Sequence, residues 1–123
     1  EIVVAVKGSH FRTGDVIAFY YNNKMLVKRV IATAGQWVNI DEDGTVYVDN
    51  VKLDEPYLTE KALGDCDLKL PYQVPDGRLF VMGDHRTTSV DSRNTVVGCV
   101  AEEQIVGKIV FCVWPMERLG RVD

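Results

Sequence analysis

Residues 83–94 form the densest cluster of hydrogen-bonding side chains in the chain, and they directly follow the apolar segment 79–82. They read Gly-Asp-His-Arg-Thr-Thr-Ser-Val-Asp-Ser-Arg-Asn. A solvated surface loop is the simplest interpretation of such a run. Alternating Asp and Arg side chains can instead form charge-assisted pairs that hold a loop rigidly. Because active sites are commonly built on rigid polar loops at strand ends, this segment is the first candidate site.

A lysine lies in the most β-prone part of the chain, within Leu-Val-Lys-Arg-Val-Ile. Side chains alternate across a strand, so Leu26, Lys28 and Val30 share one face. An edge-strand lysine that reaches water is the simplest interpretation. Burial would instead disfavour the ammonium form and lower the pKa of the amine from about 10.4, which would allow general-base chemistry. A neutral amine needs a hydrogen-bonding partner, and the serines of residues 83–94 are candidates.

Three cysteines cannot form a fully paired disulfide framework. Cys99 and Cys112 lie inside apolar runs, which favours small buried core residues, and a disulfide through Cys66 has no spacing in its favour. His10, His85 and the cysteines show none of the spacings typical of a zinc site. The sequence therefore predicts no metal site.

The elements that position these side chains should be strands. The chain has 20 Val, 6 Ile and 7 Thr against 6 Ala and 8 Leu, and β-branched residues suit pleated, half-buried surfaces. Short apolar runs alternate with turn residues, as in β proteins. The runs cover residues 2–6, 16–21, 25–33, 37–40, 45–48, 79–82, 96–101 and 105–114.

The turns predict hairpins, one at Asp43-Gly44 and another at Asp49-Asn50. We expect only one helix, of one or two turns, over residues 59–63. Residues 55–75 are the least regular part of the sequence, and we expect them to form an irregular excursion on the surface. We expect a single all-β domain over residues 1–123. It should consist of a coiled, barrel-like antiparallel sheet with a hairpin-rich extension over about residues 37–79. The expected core comprises Val4, Val16, Ile17, Val30, Phe80, Val97, Ile109 and Val113.

Composition narrows the function classes. The chain has 123 residues, enough for one domain. Its 14 basic and 18 acidic residues give a formal charge of −4, which argues against a nucleic-acid partner. No apolar stretch approaches the ~20 residues that cross a bilayer.

Two segments together carry a resemblance to a known family. Residues 28–32 read Lys-Arg-Val-Ile-Ala, with Gly35 close behind, and residues 83–93 fit the pattern G-D-(N/H)-R-x-x-S-x-D-S-R. This combination resembles the type I signal peptidases (leader peptidases), membrane-tethered Ser/Lys proteases that remove signal peptides from exported proteins. Gly14-Asp15 and the stretch from Gly107-Lys108 to Trp114-Pro115 also fit, and the short Gram-positive-type enzymes are the most similar variant.

The resemblance implies a role for each matching residue. Lys28 would be the general base, and Ser89 would hydrogen-bond its amine and orient it. Leu26 and Val27 would line part of a cleft for an extended peptide with small residues at −1 and −3. The resemblance also implies two supporting ion pairs, one between Asp84 and Arg29 and one between Asp91 and Arg93 that braces the loop. Together with Arg86, these are the implied supporting residues. No metal or organic cofactor is implied.

The family's nucleophilic serine lies in an S-M-x-P-T segment that is absent from these residues. Glu1-Ile2-Val3-Val4 resembles the acidic residue and strand that directly succeed that segment in the family, so we expect the nucleophile and the membrane anchor upstream of Glu1. Ser9 has neither Met nor Pro around it. We therefore expect the 123 residues to be inactive alone. The parent protein would be tethered at the extracytoplasmic face of the cell membrane, with exported preproteins as its partners.

Three other interpretations stay open. A self-cleaving repressor domain of the LexA type also uses Ser/Lys chemistry on a β scaffold, but it would lack the loop pattern of residues 83–93. A non-catalytic β module could bind extended peptides. A sortase-like enzyme would need Cys99 or Cys112 as its nucleophile, and neither has the polar surroundings that activate a thiolate.

Overall fold

The structure is a computed structural model that describes the backbone of residues 3–6 and 10–112 and the side chains of residues 10–110. This described part contains ten β-strands, one short 3₁₀ turn and no α-helix, and the all-β prediction is confirmed. The elements are β1 (Val3–Val6), β2 (Val16–Tyr21), β3 (Lys24–Thr33), β4 (Trp37–Ile40), β5 (Val46–Val48), β6 (Val51–Lys52), β7 (Tyr72–Gln73), β8 (Arg78–Met82), β9 (Val100–Ala101), the 3₁₀ turn (Glu102–Gln104) and β10 (Ile105–Cys112).

The larger antiparallel sheet has six strands in the order β1-β10-β2-β3-β8-β9. Strand β3 pairs with β2 on one side and with β8 on the other, so it is an interior strand. The tight turn between β2 and β3 is made by Asn22 and Asn23, both with positive φ, which short asparagine side chains tolerate. The interior position of β3 contradicts the edge-strand interpretation of Lys28.

The smaller antiparallel sheet has the order β6-β5-β4-β7 and lies within the predicted extension. Both predicted hairpins are present, and Asp49 and Asn50 have the positive φ values of the second turn. The helix predicted over residues 59–63 is absent. A five-residue segment closes little more than one helical turn, which is unstable without packing. The Arg93 guanidinium donates hydrogen bonds to the carbonyl oxygens of Ala62 and Leu63 in the irregular chain that replaces this helix.

The core lies on both faces of the larger sheet. Phe80 and Met82 of β8 pack with side chains of the smaller sheet, while Leu79 and Val81 belong to a second cluster on the other face. Of the predicted core, Ile17, Val30 and Phe80 are buried, whereas Val16, Val97 and Ile109 are only partly buried. The side chains of Val4 and Val113 lie outside the described residues.

Candidate active site

Lys28 lies on β3 with only 5% of its surface exposed, and its Nζ donates a hydrogen bond to Ser89 Oγ over 3.0 Å. The two residues are 61 positions apart in the chain. The pairing of β3 with β8 brings them together, because residues 83–94 (the polar loop) begin where β8 ends. The structure thus brings the lysine and the serine that the sequence singled out into direct contact.

Ser89 is oriented by a second hydrogen bond. Its hydroxyl donates to Asp91 Oδ2 over 2.8 Å, so its single proton is already used. Ser89 Oγ can therefore only accept from the Lys28 amine. If Lys28 loses a proton, its lone pair must point away from Ser89.

Asp91 organises the polar loop. Its carboxylate also accepts the backbone N–H of Gly83 over 2.9 Å and forms an ion pair with Arg93 in which both side chains are 0% exposed. Arg93 Nε and Nη2 each donate to one carboxylate oxygen over 2.9 Å, a bidentate arrangement. Arg93 also donates to the backbone carbonyl of Ser89. This buried pair holds the serine that contacts Lys28.

Arg29 and Asp84 form the second expected pair. Arg29 Nε and Nη2 donate to the two oxygens of Asp84 over 2.9 and 2.7 Å. Burial alone would lower the pKa of Arg29, but the hydrogen bonds and charge of Asp84 outweigh it and raise that pKa. The first residue of the polar loop after Gly83 is thereby tied to the strand that carries Lys28.

The sequence predicted Arg86 as a support but not its partner, Glu55. Both side chains are fully buried, and Arg86 Nη2 lies 2.5 Å from Glu55 Oε2. The sequence does carry a signal for a third acidic partner. Asp84 and Asp91 pair with Arg29 and Arg93, so neither is left for Arg86. A third carboxylate had to come from elsewhere, since a buried guanidinium is costly unless paired.

A cleft of about 440 Å³ opens beside Lys28 and Ser89. Leu26 lines it as expected, whereas Val27 is not among its lining residues, because successive side chains of β3 point to opposite faces. Among the described residues, no Asp or Glu side chain lines this cleft. Its lining residues are Tyr21, Lys24, Leu26, Lys28, His85, Thr88, Ser89, Val90 and Val97.

The remaining predicted features concern thiols, metals and membrane spans. Cys99 is buried as predicted, and burial raises the pKa of its thiol, which does not suit a thiolate nucleophile. Ser9 and the Cys112 side chain lie outside the described residues. Residues 3–6 and 10–112 include no cluster of three or more metal-ligating His, Cys, Asp or Glu side chains, and no helix long and apolar enough to span a bilayer.

Comparison with known proteins adds to this geometry. The family model described as signal peptidase, peptidase S26, matches residues 1–114. The chain belongs to this family. The resemblance drawn from Lys28 and the polar loop is therefore confirmed, and membership of the signal peptidase family replaces the LexA-type and sortase-like interpretations.

Individual similar proteins agree with the family assignment. The chain is 34% identical to signal peptidase I of Bacillus licheniformis and 37% identical to signal peptidase IB of Staphylococcus aureus, over 92% of its length in both cases. It covers 64% and 66% of those two proteins. A crystal structure of a signal peptidase I from Enterococcus faecalis superposes with a TM-score of 0.67 at 28% identity, covering 83% of this chain and 98% of that one.

Proposed function

We propose that this chain carries the general-base half of a Ser/Lys endopeptidase that removes signal peptides from exported preproteins. The observation that carries the proposal is the buried hydrogen bond from Lys28 Nζ to Ser89 Oγ, beside an open cleft. The relatives include signal peptidase I and signal peptidase IB, and signal peptides are therefore the substrate class that we propose for this protein. The relatives are longer than this chain, so the proposal concerns the natural gene product that contains it.

The proposed mechanism assigns Lys28 two proton transfers. Its neutral amine takes the proton of a serine hydroxyl as that oxygen attacks the scissile carbonyl, and the resulting ammonium gives the proton to the leaving amine. Water then hydrolyses the acyl-enzyme by the same route. Burial favours this role because it disfavours the ammonium form. Ser89, fixed by Asp91, holds the amine in an orientation that directs its lone pair toward the nucleophile.

In this proposal the nucleophile is the serine of an S-M-x-P-T segment, a pattern that the 123 residues do not contain. We therefore expect no turnover from the 123 residues alone. In the same proposal the parent protein is tethered to the cell membrane with its catalytic domain on the extracytoplasmic face. Its substrate lies extended in the cleft, and it uses no metal, organic cofactor or nucleic acid.

The test is Lys28→Ala in the natural gene product, with cleavage of a signal-peptide substrate as the readout. We expect kcat to fall by about 10²–10⁴-fold, the usual contribution of a general base. Lys52→Ala is the matched control, because Lys52 is exposed on β6 in the smaller sheet. Circular dichroism establishes that both variants are folded.

Unchanged turnover in a folded Lys28→Ala variant would refute the general-base assignment. A natural gene product that binds signal peptides without cleaving them would favour the non-catalytic peptide-binding module. Cleavage by the 123 residues that survives replacement of Ser9, Ser89 and Ser92 by alanine would contradict the predicted position of the nucleophile.

A further inference from the structure

One short segment of the extension, Glu55-Pro56-Tyr57, contacts both arginines that flank the Lys28–Ser89 pair. The Glu55 carboxylate binds Arg86 over 2.5 and 3.3 Å. The Tyr57 ring lies against the Arg29 guanidinium, with the carbon of that group 3.8 Å from the ring centre, a cation–π arrangement. The Tyr57 hydroxyl donates to Glu55 Oε2 over 2.8 Å, which joins the two contacts.

The two arginines belong to the two chain segments that supply the candidate site. Arg29 directly follows Lys28 on β3, and Arg86 lies three residues before Ser89 in the polar loop. Arg86 Nε also donates to the Gly83 carbonyl over 2.8 Å, so its side chain spans the start of the loop. Because both arginines meet at one segment, a shift of that segment would move Lys28 and Ser89 relative to each other.

The charges of this network balance. Two guanidinium groups, on Arg29 and Arg86, face two carboxylates, on Asp84 and Glu55. Burial, together with the Glu55 contact, raises the pKa of Tyr57 well above its ordinary value, so its hydroxyl keeps the proton that it donates. The segment can thus hold both arginines without leaving a buried charge unpaired.

We propose that Glu55 and Tyr57 are positioning residues, which keep Lys28 Nζ and Ser89 Oγ at hydrogen-bond distance by fixing Arg29 and Arg86. Neither residue lines the cleft beside Lys28, so neither is expected to contact substrate. The activity readout rests on the function proposed above, whereas the contact itself can be observed without turnover. Proton transfer tolerates only small displacements, and a misplacement of about 1 Å can cost 10²-fold in rate.

The experiment replaces Tyr57 in the natural gene product. Tyr57→Leu removes both the ring contact and the hydroxyl, and we expect kcat to fall about tenfold with KM within about twofold. Tyr57→Phe keeps the ring and should lose about threefold at most. Tyr47→Leu and Tyr47→Phe are the matched controls, because the Tyr47 hydroxyl also donates to a carboxylate, that of Asp41, but in the smaller sheet.

A second readout follows the Lys28 side chain by NMR titration with isotope-labelled lysine. Loosening the site should admit water and favour the ammonium form, so the titration midpoint of Lys28 should move upward in Tyr57→Leu and stay in place in both Tyr47 variants. A loss of thermal stability with an unmoved titration and an unmoved kcat would show that Tyr57 is merely structural, and would overturn the proposal.

Glu55 needs a paired design, since Glu55→Gln alone leaves Arg86 buried without a charge partner and can prevent folding. The double variant Glu55→Gln/Arg86→Gln removes both charges together. We expect it to fold, to lose kcat about tenfold and to show the same upward movement of the Lys28 titration. A folded double variant with unchanged kcat and unchanged titration would overturn the role of Glu55.

The two proposals fail in distinguishable ways. If Lys28→Ala lowers kcat as expected while Tyr57→Leu and the double variant leave kcat and titration unchanged, the positioning proposal fails and the general base stands. If Lys28→Ala retains turnover, the general base fails, and the Lys28 titration alone decides whether Glu55 and Tyr57 position the amine.

Discussion

Two tight polar segments of this protein are held in place by different means. The turn at Asp49 and Asn50 is exposed, and its shape comes from the backbone, because both residues adopt the positive φ that a two-residue hairpin requires. The polar loop is also rich in Asp, Asn and Ser, yet its Asp91 and Arg93 are fully buried. Similar residue types thus form a turn that is held mainly by backbone conformation in one place and a loop that is held by buried ion pairs in the other.

The partners of the polar loop explain the difference. Arg86 binds Glu55 of the extension, and Arg93 Nη1 donates to the carbonyl of Leu63 over 2.7 Å. Gly64, with a φ of +65°, lets the extension come this close, since a Cβ there would overlap the Arg86 carbonyl oxygen. The loop therefore depends on residues 30 and 31 positions away in the chain. The hairpin turn depends on the backbone conformation of its own two residues and on a nearer partner, Trp37, whose backbone N–H donates to the Asp49 carboxylate from 12 positions away.

The largest expected effect is that of Asp91→Asn. An amide keeps the shape of the side chain but carries no charge, and its NH₂ group would face donors that now bind the carboxylate. Arg93 would stay buried without a charge partner, so we expect a loss of about 3–5 kcal/mol in the free energy of unfolding. Urea denaturation followed by circular dichroism measures it.

Asp41→Asn is the matched control in the smaller sheet, where the side chain of the exposed Asp41 accepts the Tyr47 hydroxyl. We expect a change within about 0.5 kcal/mol. The comparison between a buried charged loop and an exposed turn region fails if the two substitutions cost the same.

A smaller effect is expected at the hairpin turn itself. Asn50 has a φ of 65°, where an alanine side chain is strained. Asn50→Ala should therefore lower the free energy of unfolding by about 1 kcal/mol, and Asn50→Gly should change it by less than about 0.5 kcal/mol because glycine accepts this backbone conformation. Urea denaturation distinguishes them. Equal losses from both substitutions would mean that side-chain contacts, rather than backbone conformation, hold this turn.

The same contrast explains how much of the molecule could be predicted from its sequence. Strand segments, both hairpin turns of the extension and the contact of Lys28 with Ser89 are consequences of local patterns or of a linear motif. The pair of Arg86 with Glu55 is not, because a sequence read without its fold does not show which carboxylate reaches a buried arginine 31 residues away. The helix expected over residues 59–63 is absent for a different reason, because a segment of five residues is too short to form a stable helix without packing.

The smallest expected effect compares two exposed carboxylates with the same chemistry. Asp43 accepts the backbone N–H of Thr45 within its own turn. Asp67 accepts both the backbone N–H and the hydroxyl of Thr95, over 2.8 and 2.9 Å, and so ties the extension to the chain just after the polar loop. In each case the backbone hydrogen bond is the main cause that lowers the pKa of the carboxyl below its ordinary value.

A carboxyl with a lowered folded-state pKa stabilises the fold at pH above its ordinary value, and that contribution disappears as the pH falls through the lowered pKa. Below about pH 4, NMR should show protonation of Asp43 shifting resonances of residues 41–45 and of Lys61, whose charge acts on the Asp43 carboxylate, but not those of Thr95. Protonation of Asp67 should shift Thr95 together with residues of the extension. Asp67→Asn should abolish the acid shifts of Thr95 and leave those around Asp43 in place, because the Asp67 carboxylate, unlike that of Asp43, is hydrogen-bonded to a distant segment of the chain. Acid shifts of Asp67 that are confined to residues 65–67 would contradict that connection.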